Sequence, residues 1–137
     1  MLKKETHLGM IQNVINRMGQ NSFLIKGWCV TLISALFALS AKDSQILFVY
    51  LAYFPILTFW GLDGYFLYQE RLFRKLYDNV RNISENKIDY SMDRSGLEIT
   101  MKETWICSTL SKTLIPFYLV LIASTIIVIL IINFKKP

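Results

Sequence analysis

The stretch Thr113–Phe134, TLIPFYLVLIASTIIVILIINF, contains no charged residue and lies between Lys112 and Lys135. At a rise of about 1.5 Å per residue, a helix of this length crosses the roughly 30 Å apolar core of a bilayer. Within it, Ile126–Ile132 is an unbroken run of isoleucine, valine and leucine. A helix buried in a soluble core is the alternative, but the length and uniform apolarity favour a transmembrane helix.

Two earlier segments have the same character. Phe23–Ala41 has Lys26 as its only charged residue, and Ile46–Leu62 has none. The mean hydropathy of +0.38 and the 53% of hydrophobic residues agree with several spans. The sequence therefore predicts an all-α integral membrane protein with one domain over residues 1–137. We expect its three spans at 23–41, 46–68 and 113–134, with a charged segment at 69–112.

The lysines and arginines predict the orientation of these spans. Twelve of the fifteen lie in the N-terminal arm, at Lys26 or in the 69–112 segment, and the other three are Lys42, Lys135 and Lys136. Because basic residues tend to stay cytoplasmic, the N-terminus is expected inside the cell and the chain in the inner membrane of a bacterium. Orientation and contact with the lipid bilayer account for the net charge of +5, so no direct binding of nucleic acid is expected.

Residues 42–45 are the whole connection between the first two spans, so these spans must form a tight antiparallel hairpin. Counting outward from the middle of the connection puts Lys26 nearly level with Asp63. An ion pair between them would let both charges lie at the edge of the hydrocarbon, where an isolated carboxylate is costly. In the alternative interpretation, Lys26 extends to the headgroups and Asp63 marks the interface.

One face of the first span carries only small or hydroxyl-bearing side chains at helical spacing. These residues are Gly27, Thr31, Ser34, Ala38 and Ala41. Small residues allow helices to approach closely in lipid, where apolar burial does not drive association. If several subunits surrounded an axis, the same face could instead line a polar path. Both interpretations remain open, and packing is the more common use.

The N-terminal arm has the pattern of an amphipathic helix over residues 7–19. Its apolar face consists of Leu8, Ile11, Ile15 and Met18. This pattern predicts an interfacial helix on the inner leaflet. Gly19 and Asn21 are expected to end it before the chain enters the bilayer.

The second span is expected to continue into the cytoplasm as a long amphipathic helix. An apolar stripe persists there, at Leu72, Leu76, Val80 and Ile83, and could bundle with copies of the chain or with a partner. The same helix carries a candidate signal or partner surface of four basic residues. They are Arg71, Arg74, Lys75 and Arg81. Their guanidinium and ammonium groups could meet an anionic signal, lipid headgroups or the neighbouring acids.

Between Lys87 and Trp105 apolar and polar residues alternate on either side of the turn Arg94-Ser95-Gly96. This pattern predicts a small β-hairpin, although two strands alone are marginal, and an irregular loop is the alternative. Beyond it, Trp105, Phe117 and Tyr118 are expected to lie at the membrane interface near the third span.

Residues with the spacing of a catalytic centre are missing from the sequence. His7 is the only histidine, the two cysteines Cys29 and Cys107 are far apart, and no glycine-rich phosphate loop or metal-ligand spacing occurs. We therefore expect neither an enzyme nor a bound cofactor or metal.

The tight hairpin Phe23–Leu62, followed by the charged helix RLFRKLYD at 71–78, resembles the small bacterial membrane effectors of antiviral defence, in particular the two-span SLATT type. The resemblance covers the chain up to about Ile83, and the third span departs from the two-span pattern. It implies a homo-oligomer that opens or disrupts the inner membrane on an infection signal, received from a sensor protein or a cyclic nucleotide. The competing hypothesis is a non-catalytic anchor or scaffold subunit of a larger complex.

Overall fold

The computed structural model describes residues 2–43 and 45–135, except for the side chains of residues 2 and 102. The helices are α1 (Leu2–Asp43), α2 (Leu47–Leu51), α3 (Tyr53–Asn82), α4 (Trp105–Thr109) and α5 (Ile115–Lys135). Two short 3₁₀ turns lie at Glu85–Lys87 and Met101–Glu103, and the described part of the chain contains no strand. Three stretches, α1, α2 with α3, and α5, are long and apolar enough to cross a membrane. The predicted helical class and the three candidate spans are confirmed.

The predicted end of a separate helix at Gly19 and Asn21 is wrong, because α1 continues through both residues for 42 residues. A glycine inside a helix costs only about 1 kcal/mol relative to alanine. Packing exceeds that cost, since Ile11 and Ile15 lie buried against Leu76 of α3 and its neighbours. The apolar face of residues 7–19 therefore covers another helix of the chain and does not lie on a leaflet.

The connection between α1 and α2 is as short as predicted. Ser40, which is 2% exposed, donates its hydroxyl to the carbonyl of Gln45 across the turn. The helical path is then interrupted once more at Ala52. Pro55 lacks the N–H that would bond the carbonyl of Leu51, and the backbone N–H of Ala52 bonds Val49 at 3.2 Å in a tighter turn.

The predicted continuation of the second span is confirmed by α3, which runs on to Asn82. It ends beside the start of α1, where the ammonium of Lys4 donates to the carbonyls of Arg81 and Ile83 at 2.9 and 2.7 Å. A cation at a helix C-terminus satisfies carbonyls that have no partner in the helix and complements the helix dipole.

The segment between α3 and α4 returns along α3 without the β-hairpin that alternation suggested. Its polar residues form local turns instead: the backbone N–H groups of Ser91, Asp93 and Ser95 each bond the side chain two residues earlier. Such bonds compete with strand pairing. The apolar residues Ile88, Met92 and Leu97 pack on α1 and α3.

The described residues therefore form two hydrophobic cores. The first, which we call the apolar bundle, centres on Cys29, Ile33, Ile56 and Tyr118, with Ala52 and Leu114. The second belongs to the stalk, defined as residues 3–19 of α1, 70–82 of α3 and the return segment 83–104. Because α1 and α3 pass through both parts, the stalk and the bundle share continuous helices.

Candidate functional site

Asp63 lies where the stalk meets the apolar bundle, and it is completely buried. The ion pair predicted from the hairpin register is present: Lys26 Nζ lies 2.5 Å from Asp63 Oδ2. Ser22, one turn before Lys26, donates its hydroxyl to Asp63 Oδ1 and accepts a 2.8 Å bond from Lys26. Two residues of α1 thus surround one carboxylate of α3.

The third partner of this carboxylate comes from α5. Tyr118 Oη donates to Asp63 Oδ2 at 3.0 Å and lies 3.2 Å from the carbonyl oxygen of Phe59. Its ring stacks on Trp60 with a centroid separation of 5.7 Å and an interplanar angle of 9°. Tyr118 is 0% exposed, so its side chain packs inside the fold, and its position at the membrane interface stays a prediction.

The chemistry of this cluster follows from burial. A carboxylate removed from water costs several kcal/mol unless it is paired and its lone pairs accept hydrogen bonds. Lys26, Ser22 and Tyr118 supply a cation and three donors, so the charge is compensated inside the fold. The cluster joins α1, α3 and α5 at one point and can hold these helices together.

The short helix α4 packs on α3 at the same level. A Cβ added to Gly64 would lie 2.8 Å from Thr109 Cβ and 2.9 Å from its Cα, so only glycine fits there. Two tryptophans donate hydrogen bonds across the contact between α3 and α4. Trp60 Nε1 donates to the Thr109 carbonyl at 2.8 Å, and Trp105 Nε1 donates to the Gly61 carbonyl at 2.9 Å. Nothing in the spacing of these residues predicts this contact.

The stripe of small residues on α1 faces away from the rest of the chain. Gly27, Thr31, Ser34, Ala38 and Ala41 are all exposed. The buried side of α1 carries Cys29, Ile33 and Ser40 instead. Thr31 satisfies its hydroxyl on its own helix by donating to the Gly27 carbonyl at 2.9 Å. The stripe is therefore available to lipid or to another subunit.

The four basic residues of the candidate signal surface are mostly engaged with their neighbours. Arg74 donates twice to Glu70, Lys75 bonds Glu103 at 2.7 Å, and Arg71 bonds Ser108. Arg81 is exposed near the end of α3.

Three of these residues line one cavity of about 490 Å³, with Asp78 and Glu103 on its wall. The hydrogen bonds from Lys75 and then from Thr100 lower the pKa of Glu103 to about 2. The cavity thus holds charges of both signs, which favours pairing within the chain over a ligand that carries only negative charge.

No three His, Cys, Asp or Glu side chains in the described ranges lie close enough to hold a metal ion together. No protein-family model, curated protein or solved structure matches this chain.

Proposed function

We propose that the chain is inserted in the bacterial inner membrane through three spans, with its N-terminus and the stalk in the cytoplasm. The three apolar helices support the insertion. The stalk carries most of the lysines and arginines, and basic segments tend to stay on the cytoplasmic side. The Asp63 cluster would then lie at the inner edge of the hydrocarbon, where paired charges are tolerated.

In this membrane the protein acts as an effector of antiviral defence that oligomerises and permeabilises or depolarises the bilayer when infection is signalled. The outward position of the stripe from Gly27 to Ala41 carries this proposal. Between copies, small side chains permit close contact of α1 helices. In a ring of copies, the hydroxyls of Thr31 and Ser34 could line a polar path. The resemblance to membrane effectors of the SLATT type supports the same function.

The stalk is the part that would receive the signal. Its α1 part, residues 3–19, is about 25 Å long at a rise of about 1.5 Å per residue. Because α1 and α3 are continuous, a sensor protein or a cyclic nucleotide bound to the stalk could move both helices in the membrane. Since Arg74 and Lys75 already pair with acids, a protein partner fits this surface better than a free anion.

The competing function is a non-catalytic anchor or scaffold subunit, which would use the stalk to hold a larger complex. The same helices serve both functions, but the assemblies differ. An effector needs several copies around an axis, whereas an anchor needs one copy and a different protein.

Native mass spectrometry of the protein extracted from its own host distinguishes the two assemblies. A closed homo-oligomer of four or more copies supports the effector, and a single copy bound to a larger protein supports the anchor. We also expect Ser34→Leu to abolish toxicity without lowering the abundance of the protein in the membrane. Toxicity retained by that variant would exclude the stripe as the path.

A further inference from the structure

An open groove of about 580 Å³ lies between α1 and α3 where the stalk meets the apolar bundle. On α1 its lining includes Phe23 and Leu24, at the beginning of the first span. On α3 it is lined by Glu70 and Arg74, just past the second span and further toward the stalk. With the spans inserted as proposed above, the groove crosses the headgroup layer of the inner leaflet.

The character of the groove changes along its length. At the membrane end Phe23 is 77% exposed and Leu24 is 56% exposed, so large apolar side chains face outward. Toward the stalk, Asn16 and Gln20 of α1 follow as exposed polar residues, at about the level of Arg74 and Glu70 on α3. The groove thus passes from apolar residues to polar and charged ones, which is the order of an acyl chain and a headgroup.

The charge pair of Arg74 and Glu70 matches a zwitterionic headgroup, which carries one negative and one positive charge. Arg74 donates through Nε and one terminal nitrogen to the same oxygen of Glu70, at 3.0 and 2.8 Å. A guanidinium has five N–H donors and a carboxylate about four acceptor sites, so both groups can take further partners without separating. A headgroup phosphate fits the remaining donors of Arg74, and a primary ammonium fits the remaining acceptors of Glu70.

Gly19 lines the groove on the α1 side. A Cβ added there would meet nothing within 4 Å, so a side chain at this position would enter the groove without a clash. Glycine in the interior of a helix costs about 1 kcal/mol relative to alanine. Glycine at this position keeps the groove open, because the side chain of any larger residue would fill the space.

We propose that this groove binds one aminophospholipid of the phosphatidylethanolamine class, with its phosphate on Arg74, its ammonium on Glu70 and an acyl chain against Phe23 and Leu24. The proposal rests on the insertion stated under Proposed function but not on oligomerisation or ion flux. A phosphatidylglycerol headgroup has no ammonium, so it would leave Glu70 facing an anion.

Native mass spectrometry of the detergent-solubilised protein, titrated with phosphatidylethanolamine or with phosphatidylglycerol of the same chains, tests the site. We expect wild type to retain phosphatidylethanolamine about tenfold better than phosphatidylglycerol, because the ammonium of the former adds one charge-assisted hydrogen bond. Gly19→Leu should lose this retention, and Glu70→Gln should make the two lipids equal. Gly9→Leu is the matched control, because Gly9 lies in the same helix, outside the groove and with the same open surroundings.

Binding of free phosphoethanolamine distinguishes a site for the whole lipid from a site for the headgroup alone. We expect no binding without the acyl chains. Equal retention of the two lipids by wild type would overturn the proposal. So would retention by Gly19→Leu equal to that of Gly9→Leu, or binding of free phosphoethanolamine as tight as that of the lipid. If Gly19→Leu fails to fold, Glu70→Gln alone tests the proposal, through its relative retention of the two lipids. Loss of lipid binding with ion flux intact would contradict only this site.

Discussion

Tyr118 Oη donates a 3.0 Å hydrogen bond to Asp63 Oδ2 and so connects α5 to α3 across 55 residues of the chain. The same carboxylate pairs with Lys26 of α1. One side chain therefore connects all three apolar helices.

Removing the tyrosine hydroxyl should weaken the attachment of α5. In Tyr118→Phe the ring can still stack on Trp60, but Asp63 loses one donor, and a hydrogen bond to a charged group contributes about 1.5–3 kcal/mol. We expect the free energy of unfolding in detergent to fall by about that amount, measured by denaturant titration. Tyr65→Phe, at a residue that is 43% exposed, is the control. Equal stability of the two variants would mean that the bond contributes nothing.

A methyl group at Gly64 should displace α4. In Gly64→Ala the new Cβ would meet the backbone of Thr109, which cannot rotate away, so overpacking of about 1–3 kcal/mol is expected. Gly61→Ala should be neutral or slightly stabilising, since nothing lies within 4 Å of its added Cβ. Hydrogen exchange at residues 105–109 measures the displacement. Unchanged protection in Gly64→Ala would show that α4 tolerates the methyl group.

The contacts of Glu103 predict an acid-dependent attachment of the return segment. Its pKa lies at about 2 instead of its usual 4.5, because Lys75 and Thr100 donate to the carboxylate. A lowered pKa means that the stabilisation is complete above pH 4.5 and is lost as the pH falls through about 2. In an NMR titration of labelled glutamate, Lys75→Met should move the Glu103 midpoint back toward 4.5, whereas Lys87→Met should not. A wild-type midpoint near 4.5 would contradict the contact.

The proposed orientation places Cys107 inside the cell. This thiol is exposed and Cys29 is 0% exposed, so a membrane-impermeant maleimide should report Cys107 alone. We expect labelling only after the cells are permeabilised. In a Cys107→Ser background, Gln45→Cys, in the turn between α1 and α2, should be labelled in intact cells. Labelling of Cys107 before permeabilisation would reverse the orientation.

The sequence was sufficient to place Lys26 and Asp63 at nearly the same level, because a four-residue turn leaves little freedom in the register of two antiparallel helices. It left open whether the two side chains pair. It was not sufficient to place Tyr118. The third span is apolar on every side, so its pattern does not show which face turns inward. The partner of a buried carboxylate then depends on packing between distant segments.

Two predictions from local sequence patterns were wrong. Gly19 and Asn21 are common at helix ends, but their cost is smaller than the gain from burying Ile11 and Ile15 on α3. Alternation in residues 88–101 suggested strands, yet Asp89, Ser91 and Asp93 bond the nearby backbone instead. In both segments the pattern alone left two conformations close in energy, and tertiary or side-chain contacts determined which one forms.

Loss of membrane potential in infected host cells, where the infection itself supplies the signal, tests the proposed function most directly. Ala38→Leu places a bulky side chain on the exposed stripe, and Leu32→Phe enlarges an exposed side chain about 120° away around the same helix. We predict depolarisation with wild type and with Leu32→Phe, and its loss with Ala38→Leu at equal abundance in the membrane. Equal depolarisation with all three proteins would exclude the stripe as the path, and no depolarisation with wild type would contradict the effector function itself.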